Sequence, residues 1–194
     1  SKTAIFDSLG ETTYGELCDT ASKVGNALKR LGLPRFSRIL MILDDISAYP
    51  AAIFGAMRAG FVPVLINTLS PSDLIQYYLE DSGSTVALID SDFLHLLTTA
   101  SISNTQLRTV IVLNGNSSPL IDTECLHWDD WLRHESVCLE ASNTHKNDMA
   151  FWMYSSGSTG RPKGIVHLHH DMAYTYSSYA KQVLELTEND VCLS

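Results

Sequence analysis

Cysteine is scarce in this sequence, and the spacing of the four that occur excludes two common kinds of site. Cys18, Cys125, Cys138 and Cys192 form no C-x-x-C pair. Their spacing suits neither a structural zinc site nor the disulfide framework of a small secreted domain. We therefore interpret them as reduced thiols, which predicts a cytoplasmic protein.

Long apolar runs and positive charge are also in short supply. No apolar run reaches the roughly 18 residues of a membrane span, and residues 1–4 lack the apolar stretch of a signal peptide. The chain has 13 Lys and Arg residues against 22 Asp and Glu, a net charge of −9. This balance disfavours nucleic acid as a partner, and a bound nucleotide would need positive charge supplied locally.

One segment, residues 154–164, supplies that charge within a glycine-rich loop. It contains three glycines, four Ser or Thr side chains, Arg161 and Lys163, and apolar stretches flank it on both sides. Backbone N–H groups and hydroxyls in such a loop can surround a phosphate, while the lysine neutralises its charge. The segment predicts nucleotide binding, and the alternative is a Gly/Ser turn between two strands.

The loop differs from two well-known phosphate-binding patterns. A Walker A loop requires four residues between its first glycine and a Gly-Lys pair, followed by Ser or Thr. Gly160 is followed instead by Arg-Pro-Lys-Gly. The positions of Gly157 and Gly160 also do not fit the dinucleotide fingerprint G-x-G-x-x-G.

Alternating helix and strand patterns predict an α/β fold with a mostly parallel sheet. The predicted helices cover about 14–31, 46–59, 71–82, 93–100 and 171–186, with Thr13 and Glu16 as a capping box for the first. The predicted strands cover 38–43, 61–66, 85–89, 109–113, 149–154 and 164–167, and residues 191–193 suggest an interrupted strand. Pro63 predicts an edge or bulged position for its strand, and Pro50 a late start or kink for its helix. Residues 114–119 predict a polar surface loop.

Residues 155–164 resemble the phosphate-loop signature of the adenylate-forming superfamily, which includes acyl-CoA synthetases, luciferases and peptide-synthetase adenylation domains. Residues 13–17 and 57–67 resemble the first and second core motifs of that superfamily, in the expected order. Within it, four segments are most similar to benzoate-CoA ligases and other aryl-CoA ligases. These are residues 43–45, 64–69, 150–156 and 164–169.

The resemblance implies an acid–CoA ligase that uses ATP and coenzyme A, with benzoate or a related aryl acid as substrate. Residues 1–194 would form an incomplete N-terminal AMP-binding domain, without the C-terminal domain. Magnesium ligands, the adenine site and most of the acid pocket would lie beyond Ser194, so we expect no metal site in this chain. We also expect the chain to be inactive by itself.

The same resemblance implies which residues hold the phosphates. The phosphate-binding residues would be Ser155, Ser156, Gly157, Ser158, Thr159, Gly160, Lys163 and Gly164. Lys163 and Thr159 would be catalytic, although Lys163 could instead hold the loop to a nearby carboxylate. Arg161 precedes a proline and is expected to be exposed to solvent.

Two other clusters have structural interpretations. His167 and His169 alternate in sequence, which predicts one face of a strand more than a metal site. Asp44 and Asp45 follow a predicted strand, where helix capping would explain them.

Two alternative functions remain open on the sequence. One is an adenylation module that loads a carrier protein, and the other is a truncated, non-catalytic protein that uses this fold for interaction. Oligomeric state is open as well.

Overall fold

The computed structural model describes residues 2–103, 105–115, 123–155 and 160–193. Its strands are β1 (Thr3–Asp7), β2 (Gly10–Thr13), β3 (Arg38–Ile42), β4 (Val62–Leu65), β5 (Val86–Asp90), β6 (Thr109–Leu113), β7 (Glu124–His127), β8 (Met149–Ser155) and β9 (Lys163–Leu168). Its α-helices are α1 (Tyr14–Arg30), α2 (Ala48–Ala59), α3 (Asp73–Ser82), α4 (Thr99–Ile102), α5 (Trp128–Leu132) and α6 (His169–Thr175). A 3₁₀ segment covers Ser91–Leu96 and a π-helical turn covers Tyr176–Ala180.

Seven of these strands form one sheet in the order β7-β6-β5-β3-β4-β8-β9. Every neighbouring pair is parallel except β8 and β9, which are antiparallel. Strands β1 and β2 form a separate antiparallel hairpin. The predicted α/β fold with a mostly parallel sheet is confirmed.

Strands β3, β5 and β6 are buried on both faces because their side chains alternate between two hydrophobic cores. In β3, Ile39 and Met41 lie in a core with α1, α2 and α5, whereas Leu40 and Ile42 face a second core with α3. Strands β5 and β6 alternate in the same way and are buried along their whole length. This explains their short, continuous apolar runs.

Helix α1 begins as predicted. The Thr13 N–H donates to the Glu16 carboxylate (2.8 Å), and the Glu16 N–H donates to Thr13 Oγ1 (3.3 Å). This reciprocal pair satisfies donors that the first turn leaves without partners. Helix α2 begins at Ala48, so Pro50 lies in its first turn, where a missing N–H costs no helical bond. The late start is confirmed.

The prediction that Pro63 lies at an edge or bulge is wrong, because β4 is between β3 and β8. The N–H groups of Val62 and Ile66 donate towards β3. Because the backbone N–H groups of successive residues in a strand point to opposite sides, the nitrogen of Pro63 faces β8. The ladder between β4 and β8 begins only at Val64. A proline is therefore tolerated inside the sheet at a position where no partner strand requires its N–H.

Other predicted boundaries are wrong in ways that local capping explains. The predicted helix over 93–100 is interrupted, because Thr98 is extended and forms a capping box with Ser101. The α3 helix begins after Ser72, not after Ser70. The long C-terminal helix is α6 followed by the π-helical turn, and residues 191–193 form no strand. Residues 116–119 of the predicted polar loop lie outside the described residues.

The N-terminal hairpin, which sequence patterns did not predict, caps α2. The Asp7 carboxylate accepts the Leu9 and Gly10 N–H groups (2.8 and 3.1 Å) within the hairpin, and the Ser47 N–H (2.7 Å) at the start of α2. The expectation that Asp44 caps this helix is wrong. Its N-cap residue is Ser47, and Asp44 accepts the neighbouring Asp45 N–H.

No helix in the described part of the chain combines the length and apolar character that crossing a bilayer requires.

The close contact between α1 and α2 predicts that Gly55→Ala destabilises the protein. A Cβ atom at Gly55 would overlap the Ala21 carbonyl oxygen and lie 2.9 Å from Val24 Cβ. We expect the free energy of unfolding to fall by about 1–3 kcal/mol, because overpacking against the backbone outweighs the better helix propensity of alanine. The control is Gly15→Ala, where the nearest atom would be 3.8 Å away. If Gly55→Ala and Gly15→Ala have the same thermal unfolding temperature, the prediction is wrong.

The Asp7 cap predicts a pH-dependent contribution to stability. The Ser47 N–H bond, with help from Leu9 and Gly10, lowers the pKa of Asp7. The stabilisation is therefore complete above the unfolded pKa of about 3.9 and is lost as pH falls through the lower folded pKa. At pH 7, Asp7→Asn should lower the free energy of unfolding by about 1–2 kcal/mol, because an amide nitrogen cannot accept a hydrogen bond from the Ser47 N–H.

Unfolding midpoints of wild type and Asp7→Asn, compared at pH 7 and at pH 3, measure this effect. The difference between the two midpoints should be smaller at pH 3 than at pH 7. The control is Asp19→Asn, an exposed carboxylate on α1. If the difference between the midpoints of wild type and Asp7→Asn stays constant with pH, the Asp7 carboxylate does not stabilise the fold in this way.

Candidate functional site

Strands β8 and β9 form the two sides of the glycine-rich loop. Strand β8 runs parallel to β4, with Val64 opposite Trp152, and β9 returns antiparallel, with Ser155 opposite Lys163. The last residue of β8 and the first of β9 thus face each other at the base of the loop. Residues 156–159 lie outside the described residues.

The loop follows the carboxyl end of β8, at the same edge of the sheet where β3, β4, β5 and β6 end. All of these strands are parallel to one another. In open α/β sheets, ligands bind in the crevice outside the carboxyl ends of the strands. The fold therefore puts the phosphate-loop candidate at the edge where a nucleotide site is expected.

The predicted phosphate-binding residues divide between described and undescribed parts of the loop. Ser156, Gly157, Ser158 and Thr159 fall outside the described residues, so their roles stay predictions. Ser155 and Lys163 are exposed, and Gly164 is partly buried. Gly160 has φ +93°, a left-handed conformation that favours glycine.

The Lys163 side chain faces solvent at the base of the loop. Among the described residues, no ion pair links it to a carboxylate. The alternative role, holding the loop to a nearby carboxylate, thus finds no partner in this part of the chain. An exposed ammonium group beside a glycine-rich loop is suited to neutralise a phosphate.

Arg161 is exposed, as predicted. Its guanidinium lies 5.5 Å from the centre of the Tyr77 ring, within the range of a cation–π contact. Arg161 therefore contacts α3 while its charge stays near the loop.

A group of residues that we call the tyrosine anchor joins the loop to α3. It consists of Tyr77, Asp81, Tyr154 and Pro162. The Tyr77 hydroxyl donates to the Pro162 carbonyl oxygen (2.9 Å), and the Tyr154 hydroxyl donates to Asp81 Oδ2 (2.7 Å). The ring of Tyr154 also packs on Tyr78, with centroids 4.5 Å apart. Helix α3 therefore contacts both sides of the loop.

Sequence reasoning missed this anchor. Tyr77 and Pro162 are 85 positions apart, and Asp81 and Tyr154 are 73 apart. No spacing rule relates positions so distant, and neither tyrosine belongs to a motif that indicates hydrogen bonding to a loop.

The Tyr154 hydroxyl stays protonated at neutral pH. Burial raises its pKa well above its ordinary value, and the hydrogen bond to Asp81 raises the pKa further. The hydroxyl therefore donates to the Asp81 carboxylate at neutral pH, which favours a structural role for this contact.

The histidines near the loop are used in packing and surface pairing. His167 stacks on Phe151 with centroids 4.6 Å apart, and its Nδ1 lies 3.5 Å from Asp171. The prediction that His167 and His169 share a strand face is wrong, because His169 begins α6. The Leu168 N–H is the main cause of the lowered pKa of Asp171, and His170 and His167 add to it. Within the described ranges, no three His, Cys, Asp or Glu side chains are arranged to hold a metal ion.

A cleft of about 370 Å³ lies between the N-terminal hairpin and the carboxyl end of β6. Its lining includes the carboxylates of Glu11, Glu16 and Asp129. Negative charge at this density opposes phosphate binding, so the loop after β8 is the better candidate for a nucleotide site.

Comparisons with known proteins show the family of the chain. The family model for AMP-binding enzymes matches residues 1–194. The chain is 39% identical over 168 residues to a 4-hydroxybenzoate–CoA/benzoate–CoA ligase of Rhodopseudomonas palustris, covering 87% of this chain and 30% of the relative. It is 35% identical over 194 residues to the benzoate–CoA ligase of Thauera aromatica, covering 100% of this chain and 36% of the relative. The chain thus spans about a third of the length of these relatives.

A solved structure has a similar fold. The anthranilate CoA ligase AuaEII, in complex with anthranoyl-AMP, matches with a TM-score of 0.90 and 33% identity. The match covers 98% of this chain and 36% of that one.

Proposed function

Because this chain belongs to the family of AMP-binding enzymes, we propose that it is the first part of the N-terminal domain of an AMP-forming acid–CoA ligase. The proposed substrate is benzoate or a related aryl acid. The observation that supports it most is the exposed Lys163 at the base of a glycine-rich loop, at the carboxyl edge of a parallel sheet. Relatives named as benzoate and hydroxybenzoate ligases support the aryl class.

The proposed reaction has two steps. A carboxylate oxygen of the acid attacks the α-phosphorus of ATP, the bond from that phosphorus to the β-phosphate oxygen breaks, and pyrophosphate leaves. The thiol of coenzyme A then attacks the acyl carbonyl, the bond to AMP breaks, and the thiol proton goes to solvent. The acid needs no general base in the first step, because a carboxylic acid is already ionised near pH 7.

The main difficulty of the first step is to bring two anions together, so positioning and charge neutralisation provide most of the catalysis. In this proposal Lys163 neutralises the departing pyrophosphate, and Thr159 and Ser158 donate hydroxyl bonds to it. The remaining phosphate contacts are assigned to Ser155, Ser156 and backbone N–H groups near Gly157, Gly160 and Gly164.

The remaining parts of the proposal concern residues beyond this chain. The ligands of the magnesium ion that accompanies ATP are assigned to residues beyond this chain. The sites for adenine, coenzyme A and most of the acid are assigned there too. The chain by itself is therefore proposed to be inactive, and four free cysteines support a cytoplasmic protein.

Acid-dependent exchange of pyrophosphate into ATP tests the function in a protein extended to the length of its relatives. Benzoate, 4-hydroxybenzoate, a medium-chain fatty acid and an amino acid are compared side by side. We expect the fastest exchange with an aryl acid. Preference for the amino acid would favour the carrier-loading alternative, and no exchange with any acid would favour a non-catalytic protein.

The role of Lys163 predicts that Lys163→Ala in the same extended protein lowers the turnover number by about 100-fold or more, the usual cost of removing a group that stabilises developing charge. The KM for the acid should change little, because Lys163 is assigned to pyrophosphate. Lys23→Ala, on α1 at the opposite face of the sheet, is the matched control. An unchanged turnover number would refute a role in phosphoryl transfer.

A further inference from the structure

We propose that Tyr77 is a positioning residue for Lys163. Its hydroxyl holds the carbonyl of Pro162 and thereby orients the peptide from which Lys163 leaves the loop. This inference rests on the proposed function, since it assigns Tyr77 to the pyrophosphate end of the same site.

The geometry of a peptide bond connects the two residues. The carbonyl of Pro162 and the nitrogen of Lys163 belong to one planar peptide unit. A hydrogen bond of 2.9 Å from Tyr77 to that oxygen therefore restrains the whole plane. The proline ring fixes its own φ near −65° and offers no N–H, so the carbonyl is the one backbone group of Pro162 through which a neighbour can hold it by hydrogen bonding.

Packing holds the Tyr77 side chain in place. It is half-buried on α3 and packs against the second hydrophobic core, next to the buried Tyr78 and Leu79. The adjacent Arg161 lies over its ring at 5.5 Å. The donor that reaches Pro162 is thus fixed to a packed helix, whereas Lys163 is exposed and has no ion pair among the described residues.

The residue after Lys163 is restrained from the same helix. Gly164 pairs with Tyr154 across the two strands, and the Tyr154 hydroxyl is bound to Asp81 at 2.7 Å. Both neighbours of Lys163 are therefore tied to α3, directly through Pro162 and indirectly through the partner of Gly164. The backbone of Lys163 is held while its side chain stays free to meet a ligand.

The variant Tyr77→Phe isolates the hydrogen bond. Phenylalanine keeps the ring, its packing and the contact with Arg161, and removes only the hydroxyl. In the extended protein we expect the turnover number of ATP–pyrophosphate exchange to fall about fivefold, the scale of one lost hydrogen bond. The KM for the acid should stay unchanged, and so should thioester formation from supplied acyl-adenylate, which releases no pyrophosphate. Tyr49→Phe, a half-buried tyrosine on α2 in the other core, is the matched control.

A double-mutant cycle shows whether Tyr77 acts through Lys163. In a Lys163→Ala background, Tyr77→Phe should cause no further loss, because the positioned group is absent. Additive losses would overturn the proposal. So would an equal fall in both half-reactions together with a lower unfolding temperature, which indicates general destabilisation.

The two levels of the proposal fail in different ways. If wild-type protein exchanges pyrophosphate and Tyr77→Phe matches it, the positioning role fails while the proposed function stands. If wild-type protein exchanges with no acid, the proposed function fails and the role of Tyr77 fails with it.

Discussion

The parallel pairing of β8 with β4 decides where the chemistry of this chain can take place. The ladder is short, with Val64 opposite Trp152 and Leu65 opposite Met153, yet it sets the direction of β8. If β8 ran the other way, the glycine-rich loop would emerge at the opposite edge of the sheet, away from the ends of β3, β5 and β6. Because β9 then turns back antiparallel, Lys163 returns to the sheet directly beside Ser155.

The two faces of the sheet serve different purposes around that loop. Helices α1, α2 and α5 cover one face with a tightly packed core. Helix α3 covers the other and contributes both packing and polar contacts, since it buries Tyr78 and Leu79 in the second core and presents Tyr77 towards Pro162. A single helix thus joins the hydrophobic core to the backbone at Pro162, beside Lys163.

Much of this fold could be predicted from local patterns, because the determining interactions are local. The capping box of α1 lies within four residues, and the buried strands β5 and β6 are short apolar runs. The loop could be recognised because its glycines, hydroxyls and lysine are contiguous. The hairpin cap from Asp7 to Ser47, the interior position of Pro63 and the contact of Tyr77 with Pro162 could not be predicted. Each depends on which distant segments the tertiary fold brings together.

The approach of α1 to α2 also limits how this sequence can vary. A Cβ at Gly25 would lie 2.8 Å from the Gly55 carbonyl oxygen, and one at Gly55 would overlap the Ala21 carbonyl oxygen. Both of these conflicts are with main-chain atoms, although the Leu139 side chain (2.4 Å from a Cβ at Gly25) and the Val24 side chain (2.9 Å from a Cβ at Gly55) also lie in the way. A smaller side chain at Leu139 or Val24 would therefore leave the main-chain conflict in place. Only a wider separation of the two helices could accommodate a larger residue at either glycine, with the loss of the dispersion contacts that their proximity provides.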